Sequence, residues 1–143
     1  MKKSTTLLLI LLSVFNLTAQ EWNTDLDQSM ITAKAEDKKV ILVFSGSDWC
    51  APCIKLDREV WETEEFKAFA KDNYILVKVV FPRKRKNQLS KEQQEYNNKL
   101  SAKYNQEGYF PMVVVLDADA NVLGKVGYEN VGPKEYIDLL ESF

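Results

Sequence analysis

The sequence predicts one α/β domain. Two wholly apolar runs of strand length, Val40 to Phe44 and Met112 to Leu116, suit strands covered on both faces. Around them lie stretches whose apolar residues recur at helical spacing, so helices and strands alternate along the chain. No internal repeat, linker or low-complexity block interrupts that order. A chain of 143 residues, 45% apolar and 28% charged, is enough for one core.

From Asp25 to Asp37, Leu26, Met30, Ile31 and Ala33 fall on one stripe and predict a helix. Lys38-Lys39 ends it, and the strand Val40 to Phe44 follows. After the loop Ser45-Gly46-Ser47-Asp48, a second helical stretch opens at Trp49-Cys50-Ala51-Pro52-Cys53 and runs through Ile54, Leu56 and Val60. Thr63 is placed to cap a short helix whose first turn carries Glu64 and Glu65, where the helix dipole favours acids. Tyr74 to Val80 reads as a strand with Lys78 as its only charge.

The connection from Phe81 to Phe110 begins with the basic run Arg83-Lys84-Arg85-Lys86, read as a solvated loop. Leu89-Ser90-Lys91-Glu92-Gln93 supplies a hydrophobic residue, an N-cap and a capping-box glutamine, so a helix over Lys91 to Tyr104 should follow. Asp117 to Asn121 is a hairpin turn between Met112 to Leu116 and an antiparallel Val122 to Val126. Gly132-Pro133 opens the last helix, which carries Tyr136, Ile137, Leu139 and Leu140. Trp22, Trp61, Phe66, Phe69, Tyr74 and Phe81 read as core or core-edge aromatics, and Gly46 and Gly108 as positions set by backbone geometry.

At the N-terminus, Lys2 and Lys3 precede the apolar run Leu7 to Phe15, and Leu17-Thr18-Ala19 ends in a small residue. This is the pattern of a secretory signal peptide, giving an expected leader at 1–19 and a domain at 20–143. The apolar run is well short of the roughly 20 residues that span a bilayer. The expected protein is therefore exported, periplasmic or secreted. From residue 20 onward 17 basic side chains face 21 acidic ones. That balance, and a basic run without interleaved aromatics, disfavour a nucleic-acid partner.

The chain has no histidine, which removes catalysis through imidazole and most zinc and copper sites. No phosphate loop or dinucleotide fingerprint occurs, so no cofactor is expected. The acids of Asp117-Ala118-Asp119 lack the ligand count of a calcium loop. Cys50 and Cys53 are the only cysteines. In an oxidising compartment they have three readings: structural disulfide, half of a metal site, or redox dithiol. A structural bridge over so short a loop removes little entropy from the unfolded chain. A metal would need ligands from a second chain. The redox reading has a mechanism, because Cys50 falls at the expected N-terminus of a helix, where free amides and the helix dipole stabilise a thiolate. Cys53, one turn on and more buried, is placed to attack a mixed disulfide formed by Cys50. Ala51 and Pro52 complete the motif, Pro52 stiffens the first turn, and Trp49 supplies a flat apolar surface beside the sulfur.

With these motifs in hand, the sequence resembles thioredoxin: Trp49-Cys50-Ala51-Pro52-Cys53 after the strand Val40 to Phe44, and Gly108-Tyr109-Phe110-Pro111 before Met112 to Leu116. The approach Gly46-Ser47-Asp48-Trp49-Cys50 and the continuation Lys55-Leu56-Asp57-Arg58-Glu59-Val60-Trp61 are more similar to exported thioredoxin-like proteins. They are also similar to the C-terminal domain of the bacterial transmembrane thiol:disulfide interchange protein. The likeness covers about residues 22–143. It implies a thioredoxin-like fold, a central mixed β-sheet flanked by helices, and a thiol-disulfide oxidoreductase, more a protein disulfide reductase than an oxidant, with Cys50 as nucleophile and Cys53 as resolving thiol. It also implies a cis bond before Pro111, with Phe110 and Pro111 beside the dithiol, where the loop receives an extended substrate peptide together with Trp49. The implied partners are protein substrates with disulfides or thiols and a membrane-embedded thiol electron donor, with the chain acting as a monomer.

Two departures stand out. The buried acid that thioredoxin carries six residues before its first cysteine is Phe44 here, which leaves Asp48 and Lys78 as candidates for proton transfer or pKa tuning. The connection from Phe81 to Phe110 is long, and such insertions commonly adjust partner recognition. The rival reading is a peptide-binding or chaperone-like module that keeps Cys50-Cys53 as an inert bridge.

Overall fold

The computed structural model describes residues 20–143; the expected signal peptide lies outside the described residues. Asp25 caps the first helix, α1 (Leu26–Glu36), by accepting the Gln28 N–H on its carboxylate at 3.0 Å. At the other end Asp37 takes the left-handed conformation and lets Lys38 N–H reach the Ala33 carbonyl at 2.9 Å. The chain then enters β1 (Lys39–Ser45), buried along nearly its whole length because sheet neighbours and helices enclose it.

The sheet has four strands in the order β2 (Tyr74–Val80), β1, β3 (Met112–Leu116), β4 (Val122–Val126). β1 pairs parallel with β2 and antiparallel with β3, and β3 pairs antiparallel with β4. This is the mixed sheet that the resemblance to thioredoxin implies. One further pairing lies outside the expected elements: Asn23 bridges Val77 in parallel, and its backbone exchanges bonds with Leu76 and Lys78, each at 2.9 Å. A single bridged residue has no periodicity to betray it.

Alternation along the strands sends residues to two cores. One face, with Ile41, Val43, Val113 and Val115, is covered by α2 (Ala51–Leu56), α3 (Glu64–Asn73) and α5 (Pro133–Glu141). The other, with Val40, Leu42, Phe44 and Val114, is covered by α1 and α4 (Lys91–Tyr104). Thr63 Oγ1 accepts the Phe66 N–H at 3.2 Å and starts α3, as the sequence predicts. Ser90 likewise caps α4 by accepting the Gln93 N–H at 3.2 Å. Only half of the expected capping box forms, however. Gln93 turns its amide to the Thr24 carbonyl and to Asn97 Oδ1 at 2.8 Å, and Asn97 in turn donates to the Val80 carbonyl at 2.9 Å. Buried Asn97 needs those partners, so tying α4 to the end of β2 prevails over a local cap.

The second helical stretch departs from a plain α-helix. After Leu56 it widens into a π-turn over Asp57–Trp61, closed by Glu62 N–H to the Asp57 carbonyl at 2.8 Å. The extra residue lets Val60 and Trp61, adjacent in sequence, both enter the core. There Trp61 packs on Phe66 and, edge-on, on Tyr136 and Trp22, with ring centroids 4.5, 5.4 and 5.8 Å away. Among the described residues no helix is long and apolar enough to cross a membrane.

Candidate active site

β1 delivers the chain to a tight turn at its carboxyl end. Gly46 accepts the N–H groups of Trp49 and Cys50, at 3.3 and 2.9 Å, so the backbone doubles back over Gly46 itself. A Cβ there would collide with the Trp49 indole and lie 2.9 Å from the Cys50 Cβ. The glycine is thus required by close approach.

Cys50 is the N-cap of α2, with extended backbone, and its Sγ accepts the Cys53 N–H at 3.3 Å. Ala51 and Pro52 occupy the first helical positions, where a missing N–H costs nothing. Cys50 and Cys53 form a disulfide with Cα atoms 5.3 Å apart. Both residues are buried, Cys50 at 4% exposure and Cys53 at 2%, so the expected contrast between them is slight in the oxidised pair. On reduction the Cys53 amide and the helix N-terminus face the sulfur of Cys50, an arrangement that favours its thiolate.

Trp49 stands beside the pair. Its indole N–H donates to the Phe81 carbonyl at 2.7 Å, its ring meets Phe110 edge-on at 5.6 Å, and Phe110 meets Phe81 at 5.5 Å. Phe81, read from sequence as core or core edge, is in addition part of the aromatic wall of this site. The Phe110-Pro111 bond is cis. The loop before it is clamped by Asn105, whose side-chain amide donates to the Tyr109 carbonyl at 2.8 Å and accepts the Tyr109 N–H at 3.1 Å. Gly108 takes the left-handed φ of 69° that this turn demands. The sequence reading passed over Asn105. An asparagine just past a helix end and three residues before a glycine is a local turn signal that could have found it.

Asp48 and Lys78 are each engaged. The Asp48 carboxylate accepts the N–H groups of Arg83 and Lys84 and the Asn87 amide, at 2.9, 3.0 and 2.8 Å. These bonds, that from Arg83 foremost, hold its carboxyl below the usual carboxylate range. Lys78 pairs with Asp57 in the π-turn and lies 4.5 Å from the Trp22 ring centroid. Since Lys78 pairs in register with Val43, it shares the face of the sheet covered by α2, opposite to Phe44. Phe44 is fully buried on the α1 and α4 side, in an apolar setting with no carboxylate of its own. The basic run is exposed, as expected of a solvated loop, and Arg83 lays its guanidinium 3.6 Å from the centroid of the Trp49 ring.

With this geometry in place, comparison with known proteins is informative. Residues 21–118 match the thioredoxin-like family. The chain is similar to the disulfide bond reductase DsbH of Chlamydia pneumoniae, 37% identical over 110 residues that cover 77% of this chain and 64% of that protein. It therefore spans just under two thirds of the length of that curated relative. Among solved structures, a DsbH oxidoreductase superposes with a TM-score of 0.78 at 34% identity, covering 85% of this chain and 82% of the other. The oxidised C-terminal domain of Neisseria meningitidis DsbD superposes with a TM-score of 0.58 at 25% identity, covering 87% and 98%.

Proposed function

The chain belongs to the thioredoxin-like family, and from that premise we propose that it is an exported thiol-disulfide oxidoreductase working as a protein disulfide reductase. The observation that carries this reading is Cys50 as the N-cap of α2, bridged to Cys53 and receiving its N–H. The Cys50 thiolate attacks one sulfur of a substrate disulfide, forming a mixed disulfide and releasing the first substrate thiolate. Cys53 then attacks the Cys50 sulfur, and the second substrate thiolate leaves. Two electrons have passed to the substrate, and the Cys50-Cys53 disulfide is the product state.

Trp49, Phe110 and Pro111 form the surface against which the substrate segment lies. Asp48 and Lys78 act on the site indirectly, Asp48 by fixing the loop that carries Arg83, Lys78 by holding Asp57 one turn beyond Cys53. The direction toward reduction draws support from Ala-Pro between the cysteines, nearer the thioredoxin pattern than that of strong oxidants, and from the relative named a disulfide bond reductase. A membrane-embedded thiol donor restores the dithiol, and residues 1–19 are a signal peptide that directs export.

Insulin reduction driven by dithiothreitol tests the reading. The wild type is expected to accelerate it, and Cys50→Ser to fall to background. A wild type no faster than Cys50→Ser would instead identify a binding module with an inert bridge. Equilibrium with glutathione should place the pair near the thioredoxin range, roughly −270 mV, rather than near about −120 mV.

A further inference from the structure

We propose that the surface beside Cys50 selects acidic partner segments: the four cations of Arg83 to Lys86 form a fixed basic ridge that seats carboxylates flanking the substrate's disulfide. The inference rests on the dithiol-exchange reading and names the substrate class of that same site.

The ridge is built rather than loose. Asp48 binds the backbone at Arg83 and Lys84, and a 3₁₀ turn over Arg85–Asn87 is closed by Asn87 N–H to the Lys84 carbonyl at 2.9 Å. The Gln88 amide reaches back toward the carbonyls of Pro82 and Arg83, at 3.4 and 3.3 Å. With the backbone so held, all four side chains project from exposed residues. Among the described residues none of the four forms an ion pair. Asp48, the acid nearest to hand, has both carboxylate oxygens occupied by the loop's own N–H groups and Asn87.

The ridge is also fixed relative to the chemistry. Arg83 stacks on Trp49, the residue before Cys50, and stacking leaves the edge of a guanidinium free to bind a carboxylate through two parallel hydrogen bonds. From residue 20 onward the protein is net acidic, so a run of four cations without an intervening acid is a local reversal of sign bordering the reactive pair. Such a patch raises encounter rates with oppositely charged partners by 10-fold or more at low ionic strength, on the order of 10 to 10³. Exposed Ile54, next to Cys53, and exposed Tyr109, next to Phe110, add apolar surface to the site.

The test uses the full chain kept reduced by dithiothreitol and three cystine peptides that differ only in Asp, Gln or Lys beside the half-cystines. Rates are taken above the dithiothreitol background at about 0.01 M and about 1 M salt, where the screening length is about 30 Å and about 3 Å. At low salt kcat/KM should follow Asp over Gln over Lys, with about tenfold between the first two, and the order should collapse at high salt. Lys84→Glu combined with Arg85→Glu and Lys86→Glu, which leaves Arg83 on Trp49 and turns the ridge net negative, should reverse it. Equal rates at low salt, a preference that survives high salt, or an order unchanged by charge reversal would overturn the ridge, while turnover of the Gln peptide would leave the reductase reading standing. Failure of the wild type to reduce any of the three would overturn both. If the charge-reversed protein does not fold, the salt series on the wild type decides alone.

Discussion

Two loops border the Cys50-Cys53 pair, and a carboxylate clamps the backbone of one while an amide clamps that of the other. On the Trp49 side, Asp48 is a partly exposed anion that gathers N–H groups from a segment 35 to 39 residues away. On the Pro111 side, Asn105 is neutral, 1% exposed, and grips both backbone groups of Tyr109 four residues on. The charged clamp joins distant elements and can be released by a proton. The neutral clamp is local and has no such release. The half of the site that carries the basic ridge is thereby held by a charge, while the half that ends in cis-Pro111 is held by neutral hydrogen bonds.

The comparison can be broken most severely at Gly46. Gly46→Ala forces a methyl into the Trp49 indole and the Cys50 Cβ, and overpacking of this kind costs about 3 kcal/mol. A urea titration should show the loss, and insulin reduction should fall with it because Trp49 leaves its place against Phe81 and Phe110. Next, Asn105→Ala strips the partners from the Tyr109 N–H and C=O. About 2 kcal/mol should disappear in the same titration, and a full recovery of stability would mean that water replaces the amide without loss. Asp48→Ala should be milder globally. Its expected signature is faster amide exchange at Arg83 and Lys84 with Tyr109 unchanged; equal protection in mutant and wild type would show that the 81–88 segment holds itself.

The smallest effect is the proton's. Because the folded-state pKa of Asp48 lies below the ordinary value, its contribution is fully present above about pH 3.9 and is lost as pH falls through the lowered value. Exchange protection at Arg83 and Lys84, corrected for the intrinsic rate, should therefore hold above about pH 3.9 and decline as pH falls below it, while that at Tyr109 holds throughout. A parallel decline at both sites would erase the distinction between the clamps.

Much of the frame was readable from residue order, for physical reasons. Leu26, Ala33 and the run Val40 to Phe44 announce their burial by period and composition, and Thr63 and Ser90 announce helix starts because a cap acts within three residues. Cys50 and Cys53 were visible because their spacing and the strand before them specify a chemistry. What stayed hidden depends on who arrives from elsewhere. The π-turn at Asp57–Trp61 exists because Val60 and Trp61 both find room in a core that α3 and α5 complete. Asp48 reads as an ordinary loop acid until the 83–87 backbone is brought to it, and Gln93 leaves its local cap only because Asn97 and Thr24 lie within reach. Lys78 could be placed on a strand, yet its pairing with Asp57 follows from the register of β2 against β1.

The division of labour between the two sulfurs is tested most directly by trapping. Mixed with a disulfide substrate, Cys53→Ser should accumulate a one-to-one adduct through Cys50, because the attacking thiol is intact and the thiol that would free it is gone; Cys50→Ser should accumulate none. Adducts of equal yield from both variants, or from Cys50→Ser alone, would contradict the assignment of Cys50 as the nucleophile.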